Sequence, residues 1–138
     1  MILIAVLVLV MGLAIALVIG VGKDPGPTPT EIALGFEHAW DELDFDIVYR
    51  LAGPELHDGL TKAAWIAAKR AAYAGGHTVR HLVKETVAEA ETRRGDAAVV
   101  MTRLTLRDGS VVHNEVRLAR RSRAWEVVAY ELRPAPAA

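Results

Sequence analysis

Few side chains in this sequence could do chemistry, and cysteine is not among them. Without thiols the chain has no disulfide, no thiolate zinc site, no cysteine nucleophile and no lipid-modified cysteine. His77 and His81 are four residues apart in a strand-like segment, which separates them by about 13 Å, too far to share a metal ion. His38, His57 and His113 have the positions of ordinary surface or sheet residues. We therefore predict no metal site and no cofactor.

Arg103 and Asn114 are the polar pair most suited to binding. In the sheet register predicted below, both side chains point inward near the wide end of a concave sheet. Burying an unpaired guanidinium is costly, so Arg103 needs an anionic partner there. That partner is either the carboxylate or phosphate group of a small ligand, or an internal acid such as Glu131 or Asp41. Three aromatic residues of the predicted helices complete the candidate pocket: Trp40, Tyr49 and Trp65.

No catalytic residue is predicted. An isomerase-type site needs a carboxylate base facing a tyrosine and a second acid inside an apolar pocket. In the predicted register no Asp or Glu faces inward, apart from Glu131 at the rim. A His/Asp pair of the dehydratase type is not formed either, because His113 falls on the outer face of the sheet, opposite Tyr130.

The N-terminal segment, residues 1–22, contains only Met, Ile, Leu, Ala, Val and Gly. At about 1.5 Å per residue, a helix of this length spans the ~30 Å hydrocarbon core of a bilayer. A cleaved signal peptide would begin with basic residues and have a shorter apolar run, although Gly20-Val21-Gly22 could serve as a cleavage site. We predict a single-pass membrane anchor that is retained.

The surroundings of this segment suggest its orientation and its contacts. No charge precedes it and Lys23 follows it, so the positive-inside rule favours a cytoplasmic domain, although one Lys beside Asp24 leaves the side open. Gly12, Ala16 and Gly20 recur every fourth residue, which lets two membrane helices approach closely. The same residues are also common in membrane helices that do not associate.

After the anchor the composition becomes polar and nearly balanced in charge, with 17 acidic and 16 basic residues in the chain. A nucleic-acid-binding face would normally show a positive excess, so nucleic acid is excluded as a partner. Residues 23–27 contain two prolines and a glycine and form a predicted linker. One domain is predicted over residues 28–133, followed by a disordered tail at residues 134–138.

The first half of the domain has the periodicity and the capping residues of three helices. Thr28, Pro29 and Glu31 have the spacing of a capping box, while Asp44 and Thr61 are candidate caps of the second and third helices. The apolar positions recur at intervals of three and four, which predicts amphipathic helices that pack on another layer. The inward positions are Ile32, Phe36, Ala39, Trp40, Leu43, Ile47, Val48, Leu51, Trp65, Ala68, Ala72 and Tyr73.

The second half has a period of two and three turn signals, which predict a four-stranded antiparallel meander. The strands are expected at 78–92, 97–106, 111–119 and 125–132. If the turns contain two residues, one face forms the core against the helices, although a one-residue slip in any turn would exchange the two faces. The predicted core face is Ala88, Ala90, Val99, Met101, Val116, Leu118, Trp125 and Val127. The outer face has an apolar patch that we predict to be a dimer interface: Leu104, Leu106 and Tyr130.

This order of elements, α+β with three helices on a curved four-stranded antiparallel sheet, resembles the NTF2-like (cystatin-like, cone-shaped) superfamily over about residues 28–133. The segments Phe36–Trp40, Leu43–Asp46 and Leu51–Leu56 are similar to the start of such domains, and Trp125–Val128 is similar to their last strand. The resemblance implies a cone with a pocket at its open end. Some members are cyclases, dehydratases or isomerases, and many are noncatalytic binding or dimerisation modules, often fused to membrane anchors in bacteria.

Fold alone does not choose among these functions. We expect a membrane-anchored, noncatalytic module that binds a small ligand or a protein partner and forms a homodimer. The alternative is an enzyme of the cyclase, dehydratase or isomerase type that uses the cone pocket. An inward acid opposite Tyr or His would favour the enzyme, whereas a pocket plugged by Trp40 and Trp65 would exclude it.

Overall fold

Three α-helices precede four β-strands, in the predicted order. The computed structural model describes residues 26–74 and 80–133. The helices are α1 (Pro29–Glu42), α2 (Phe45–Leu51) and α3 (Lys62–Ala72), with a 3-10 helix at Pro54–Leu56 that the sequence did not predict. The strands are β1 (Val83–Arg94), β2 (Ala97–Leu106), β3 (Val111–Arg121) and β4 (Ala124–Arg133), paired antiparallel in that order.

The described residues include no helix that is long and apolar enough to cross a membrane. The predicted anchor at residues 1–22, with its stripe of small residues, lies outside the described part of the chain. So do residues 23–25 of the predicted linker and the tail at residues 134–138.

The helices begin at the predicted caps. At the start of α1 the Glu31 amide donates to Thr28 Oγ1 at 3.2 Å, and the Thr28 amide donates to Glu31 Oε2 at 2.8 Å. These bonds satisfy backbone donors that the first helical turn leaves free. Asp44 and Thr61 cap α2 and α3 in the same way, accepting from the amides of Ile47 and Ala64.

The β2–β3 turn differs from the predicted one, and the difference changes which face of β2 is buried. Leu106 donates to the Ser110 carbonyl at 2.8 Å, and the intervening Gly109 has a φ of 87° and donates to the Leu106 carbonyl. The turn therefore contains three residues, a type that places a left-handed glycine last. Because side chains alternate along a strand, the extra residue exchanges the faces of β2 relative to β3.

The predicted core face is therefore wrong for β2 and correct for most of β3 and β4. Val99 and Met101 are only half-buried, while the alternate residues of β2 are buried against the helices. Val116, Leu118, Trp125 and Val127 are buried as predicted. The buried residues of β2 are Ala98, Val100, Thr102 and Leu104.

A second irregularity lies in β4. Leu118 is opposite Val127, but Arg117 is opposite Ala129, so the register shifts by one residue at this point. A bulge of this kind turns the following side chains to the other face. Tyr130, predicted on the outer face, is brought opposite the fully buried Val116 and packs against the core.

The junction between α2 and the sheet is held at Gly53, whose amide donates to the Val127 carbonyl at 2.8 Å. A Cβ at position 53 would lie 2.6 Å from Glu55 Oε2, so a larger residue there would displace the ends of the charged side chains above it. Arg121 forms ion pairs with Glu55 and Glu126 over this position. The hydrogen bond from Arg121 lowers the pKa of Glu55 to about 2. These contacts anchor the 3-10 helix to the end of the sheet.

Candidate functional site

A buried carboxylate lies where α1 meets the middle of the sheet. Glu37 is on the inner side of α1, between the buried Phe36 and the half-buried Trp40, and is only 2 % exposed. Its Oε1 accepts from Thr102 Oγ1 at 2.8 Å and from Asn114 Nδ2 at 3.0 Å. Its Oε2 accepts from the Tyr130 hydroxyl at 2.7 Å. Three strands thus each supply one donor to a single side chain of the helix.

These contacts connect all four side chains into one network. Within it, Asn114 Nδ2 also donates to the Tyr130 hydroxyl oxygen at 2.6 Å. Burial, together with the Glu37 carboxylate, raises the pKa of Tyr130, so its hydroxyl stays protonated and remains a donor. Asn114 Oδ1 is buried and has no hydrogen-bond partner among the described residues. Networks of this kind fix the relative position of the layers that they join.

A pocket of about 230 Å³ lies beside this network, between the helices and β4. Aromatic and aliphatic side chains make up most of its walls, and Asp58 and Lys69 are its two charged residues. The Lys69 ammonium lies 5.3 Å from the centre of the Trp65 ring and 4.0 Å from Asp58 Oδ2. The lining residues are Phe36, Trp40, Val48, Ala52, Leu56, Asp58, Trp65, Lys69 and Tyr130.

A larger recess of about 660 Å³ lies around the end of α1 and the start of α2, and its walls include Arg70 and Arg80. Between these two arginines the chain passes through residues 75–79, which are outside the described part. The smaller pocket contains Trp40 and Trp65 of the predicted set and has mostly apolar walls, and it is the candidate site.

Two of the predicted pocket residues, Trp40 and Trp65, line this pocket without filling it. The Trp65 indole N–H donates to the Leu56 carbonyl at 3.0 Å, and the Trp40 indole nitrogen is buried without a partner among the described residues. Tyr49 does not line the pocket: it stacks on His57 with ring centroids 3.7 Å apart and makes a T-shaped contact with the Trp65 ring. Asn114 points inward as predicted, but its amide donates to Glu37 Oε1 and does not line the pocket.

The inward placement predicted for Arg103 is wrong. Arg103 is exposed and lies opposite His113 on the outer face. The three-residue turn between β2 and β3 is the cause, because it exchanges the faces of β2. The inward acid considered for Arg103 and for catalysis, Glu131, is also exposed.

The predicted dimer patch is wrong for the same reasons. Leu104 is 6 % exposed and belongs to the inner face of β2. Leu106 is two residues further on that face and half-buried, and Tyr130 is bonded to Glu37 inside the domain. Leu104 and Tyr130 therefore belong to the interior, and the three residues do not form an apolar patch on the outer face.

Glu37 and Tyr130 are the residues that sequence reasoning missed. A signal for Glu37 was present, because Ala33, Phe36, Glu37 and Trp40 have the i, i+3, i+4, i+7 spacing of one helix face. An acid within such a stripe implies buried donors that face it. Tyr130 had no comparable signal, because the bulge before it leaves no mark in the residue types.

Asp41, Glu42 and His81 are brought together by the fold, with one ligand atom from each within 4.8 Å of the others. His81 Nδ1 lies 3.0 Å from Glu42 Oε1, and Asp41 Oδ1 accepts from the amides of Leu82 and Val83. These residue types can bind a divalent ion. The hydrogen bonds already present explain the cluster as a clamp that attaches the start of β1 to the end of α1.

Three solved structures are similar to this chain. One is a Campylobacter jejuni protein described as an NTF2-like transpeptidase, with a TM-score of 0.57 and 20 % identity over 73 % of this chain and 97 % of that one. Another is a SEC-C motif containing protein from Rhodopseudomonas palustris, with a TM-score of 0.55 and 16 % identity over 75 % of this chain and 77 % of that one.

The third is an NTF2-like protein of unknown function from Silicibacter pomeroyi, with a TM-score of 0.51 and 14 % identity over 75 % of this chain and 92 % of that one. No protein-family model and no curated protein sequence matches the chain. At these identities the similarity concerns the fold alone, and it confirms the NTF2-like arrangement of three helices on a four-stranded antiparallel sheet.

Proposed function

Since the chain has the NTF2-like fold, we propose that it is a noncatalytic module that binds a small molecule in its aromatic pocket and is held at a membrane by residues 1–22. The observation that carries the binding function is the pocket of about 230 Å³ with walls from Phe36, Trp40 and Trp65. Concave, mostly apolar sites with a few polar groups are typical of small-molecule binding.

The arrangement of Glu37 supports a noncatalytic role. A general base must reach the proton that it removes from the substrate. Glu37 does not line the pocket, and its two oxygens already accept three internal hydrogen bonds. Its contacts are those of a structural group that joins α1 to β2, β3 and β4.

An enzyme remains the second candidate, because a carboxylate paired with a tyrosine lies directly behind an open apolar pocket. In that case Tyr130, which does line the pocket, would contact the substrate, and Glu37 would act through it. Turnover of a bound compound by the wild-type chain, lost in Tyr130→Phe with binding retained, would establish this function in place of the noncatalytic one.

The binding function predicts a selective change in tryptophan signals. The chain has three Trp residues, so 5-fluorotryptophan labelling gives three fluorine resonances. In full-length protein in lipid nanodiscs, a panel of neutral, anionic and cationic one-ring compounds is titrated. We expect saturable shifts of Trp40 and Trp65, which line the pocket, and none of Trp125, which is buried elsewhere in the core.

A matched pair of variants distinguishes binding in the pocket from binding at the protein surface. Ala52→Leu adds volume to the pocket wall and should abolish the shifts, whereas Ala68→Leu adds the same volume to an exposed position of α3 and should leave them unchanged. If no compound of the panel moves the Trp40 and Trp65 resonances selectively, the proposed binding function is wrong.

The membrane location is supported by the length and composition of residues 1–22 and by Lys23 after them. The chain has no native cysteine, so Ser110→Cys places a single thiol in the exposed β2–β3 turn. With a membrane-impermeant maleimide on intact cells, we expect protection until lysis, as for a cytoplasmic domain. Labelling of intact cells would place the domain on the opposite side.

A further inference from the structure

We propose that the ligand of the aromatic pocket is a small organic anion, with a carboxylate at Lys69 and an apolar body of about one ring directed toward Tyr130. This inference rests on the proposed binding function and adds the chemical class of the ligand to it. It depends on three features of the pocket, which are the position of Lys69, the charge behind the inner wall and the volume.

Lys69 is placed to receive an anion. Lys69 follows Trp65 by one helical turn on α3, so its aliphatic side chain runs along the Trp65 ring. Its ammonium lies 5.3 Å from the ring centre. Its side chain is 30 % exposed, less than the 65 % of Asp58, its ion-pair partner. The two charges are 4.0 Å apart, at the outer limit of an ion pair, and such partly exposed pairs contribute little. A ligand carboxylate at 2.8 Å would be a better partner for this ammonium.

The inner end of the pocket lies near a negative charge instead of a positive one. Phe36 and Tyr130 form the wall there, and the Tyr130 hydroxyl donates to the Glu37 carboxylate behind it. A second carboxylate at this end would meet like charge at low dielectric, which is strongly unfavourable. The charge distribution therefore orients the ligand, with its anionic group at Lys69 and its apolar body inside.

The volume limits the size of that body. A cavity of about 150 Å³ lined by aliphatic and aromatic side chains takes up benzene, and drug-sized ligands need roughly 300–1,000 Å³. The 230 Å³ of this pocket lies between these values. A single ring, or a branched chain of similar bulk, with a short acidic substituent therefore fits.

The test compares phenylacetate with its uncharged amide, phenylacetamide, and with phenethylamine, using the Trp40 and Trp65 fluorine resonances of the full-length chain. Phenylacetate should bind at least about tenfold more tightly than phenylacetamide, because only the acid can form a charge-assisted bond. Lys69→Met keeps the aliphatic stem over Trp65 and should remove this difference. Lys84→Met removes the same charge from the exposed surface of β1 and should not affect it.

Asp58→Asn gives an independent check, because it removes the acid that competes for Lys69 and should tighten phenylacetate binding. Equal binding of acid and amide, unaffected by Lys69→Met, would overturn the anion inference and leave the binding function standing. Tightest binding of phenethylamine, lost in Asp58→Asn, would overturn it in favour of a cation. An unmoved Trp125 resonance in each variant shows that the core is intact. If none of the three compounds and none of the wider panel binds selectively, the binding function itself is refuted.

Discussion

Replacing Glu37 with alanine is expected to destabilise the domain by about 3–5 kcal/mol. The substitution leaves the Thr102 and Tyr130 hydroxyls without their acceptor and Asn114 Nδ2 with only the Tyr130 hydroxyl oxygen, and each buried donor without a partner costs about 1–3 kcal/mol. The removed side chain also leaves a cavity, since Glu37 is 2 % exposed. The measurement is the free energy of unfolding in urea, with near-UV circular dichroism as the signal that monitors the transition.

Two variants bracket this result. Glu37→Gln keeps one acceptor oxygen and the volume, so it should cost less than alanine, about 1–2 kcal/mol. Glu85→Ala removes an exposed acid from β1 and should change the free energy of unfolding by less than about 0.5 kcal/mol. If Glu37→Ala costs no more than Glu85→Ala, the network does not hold the layers together.

Replacing Trp65 with alanine is expected to cost about 3–5 kcal/mol and to abolish ligand binding. Trp65 is 2 % exposed, packs edge-on against the rings of Phe45 and Tyr49, and forms one wall of the pocket. Truncation of a buried aromatic residue removes its transfer free energy and leaves a cavity. Both the free energy of unfolding and the Trp40 fluorine shift measure the outcome.

Trp65→Phe separates the ring from its polar group. It keeps an aromatic wall and loses the hydrogen bond to the Leu56 carbonyl, for a cost of about 1–2 kcal/mol. Leu60→Ala, at a position that is 41 % exposed, is the surface control and should be nearly neutral. A Trp65→Ala variant as stable as Leu60→Ala would mean that Trp65 is not part of the core.

The helices were predictable because their signals are local. The caps at Thr28, Asp44 and Thr61 are single residues whose side chains bond to the next turn, and the structure has all three. The inward positions of Trp40 and Trp65 were predictable for the same reason, because the spacing of apolar residues shows which face of a helix is buried.

The faces of the sheet were less predictable, because they depend on counting residues across turns. Asp108-Gly109 fits both a two-residue turn and a three-residue turn that ends in a left-handed glycine, and the sequence does not distinguish them. This single residue decided whether Arg103 or Thr102 faces the helices. The position of Tyr130 depended on the bulge in β4 in the same way. The polar centre of the domain, Glu37 with its three donors, was missed because two of those donors had been assigned to the wrong face.

The bulge between Val127 and Ala129 has a consequence for how this domain tolerates insertions and deletions during evolution. Val128 is the extra residue at this point, so its loss would leave Val127 opposite Leu118, Ala129 opposite Arg117 and Tyr130 opposite Val116 in a regular register. Tyr130 would still face the helices, and Glu37 would keep this donor. A further inserted residue without a second bulge would instead turn Tyr130 to solvent, although neither Tyr130 nor Glu37 had mutated. A homologue that keeps an acid at position 37 can therefore have one or two residues between the counterparts of Val127 and Tyr130, but not three.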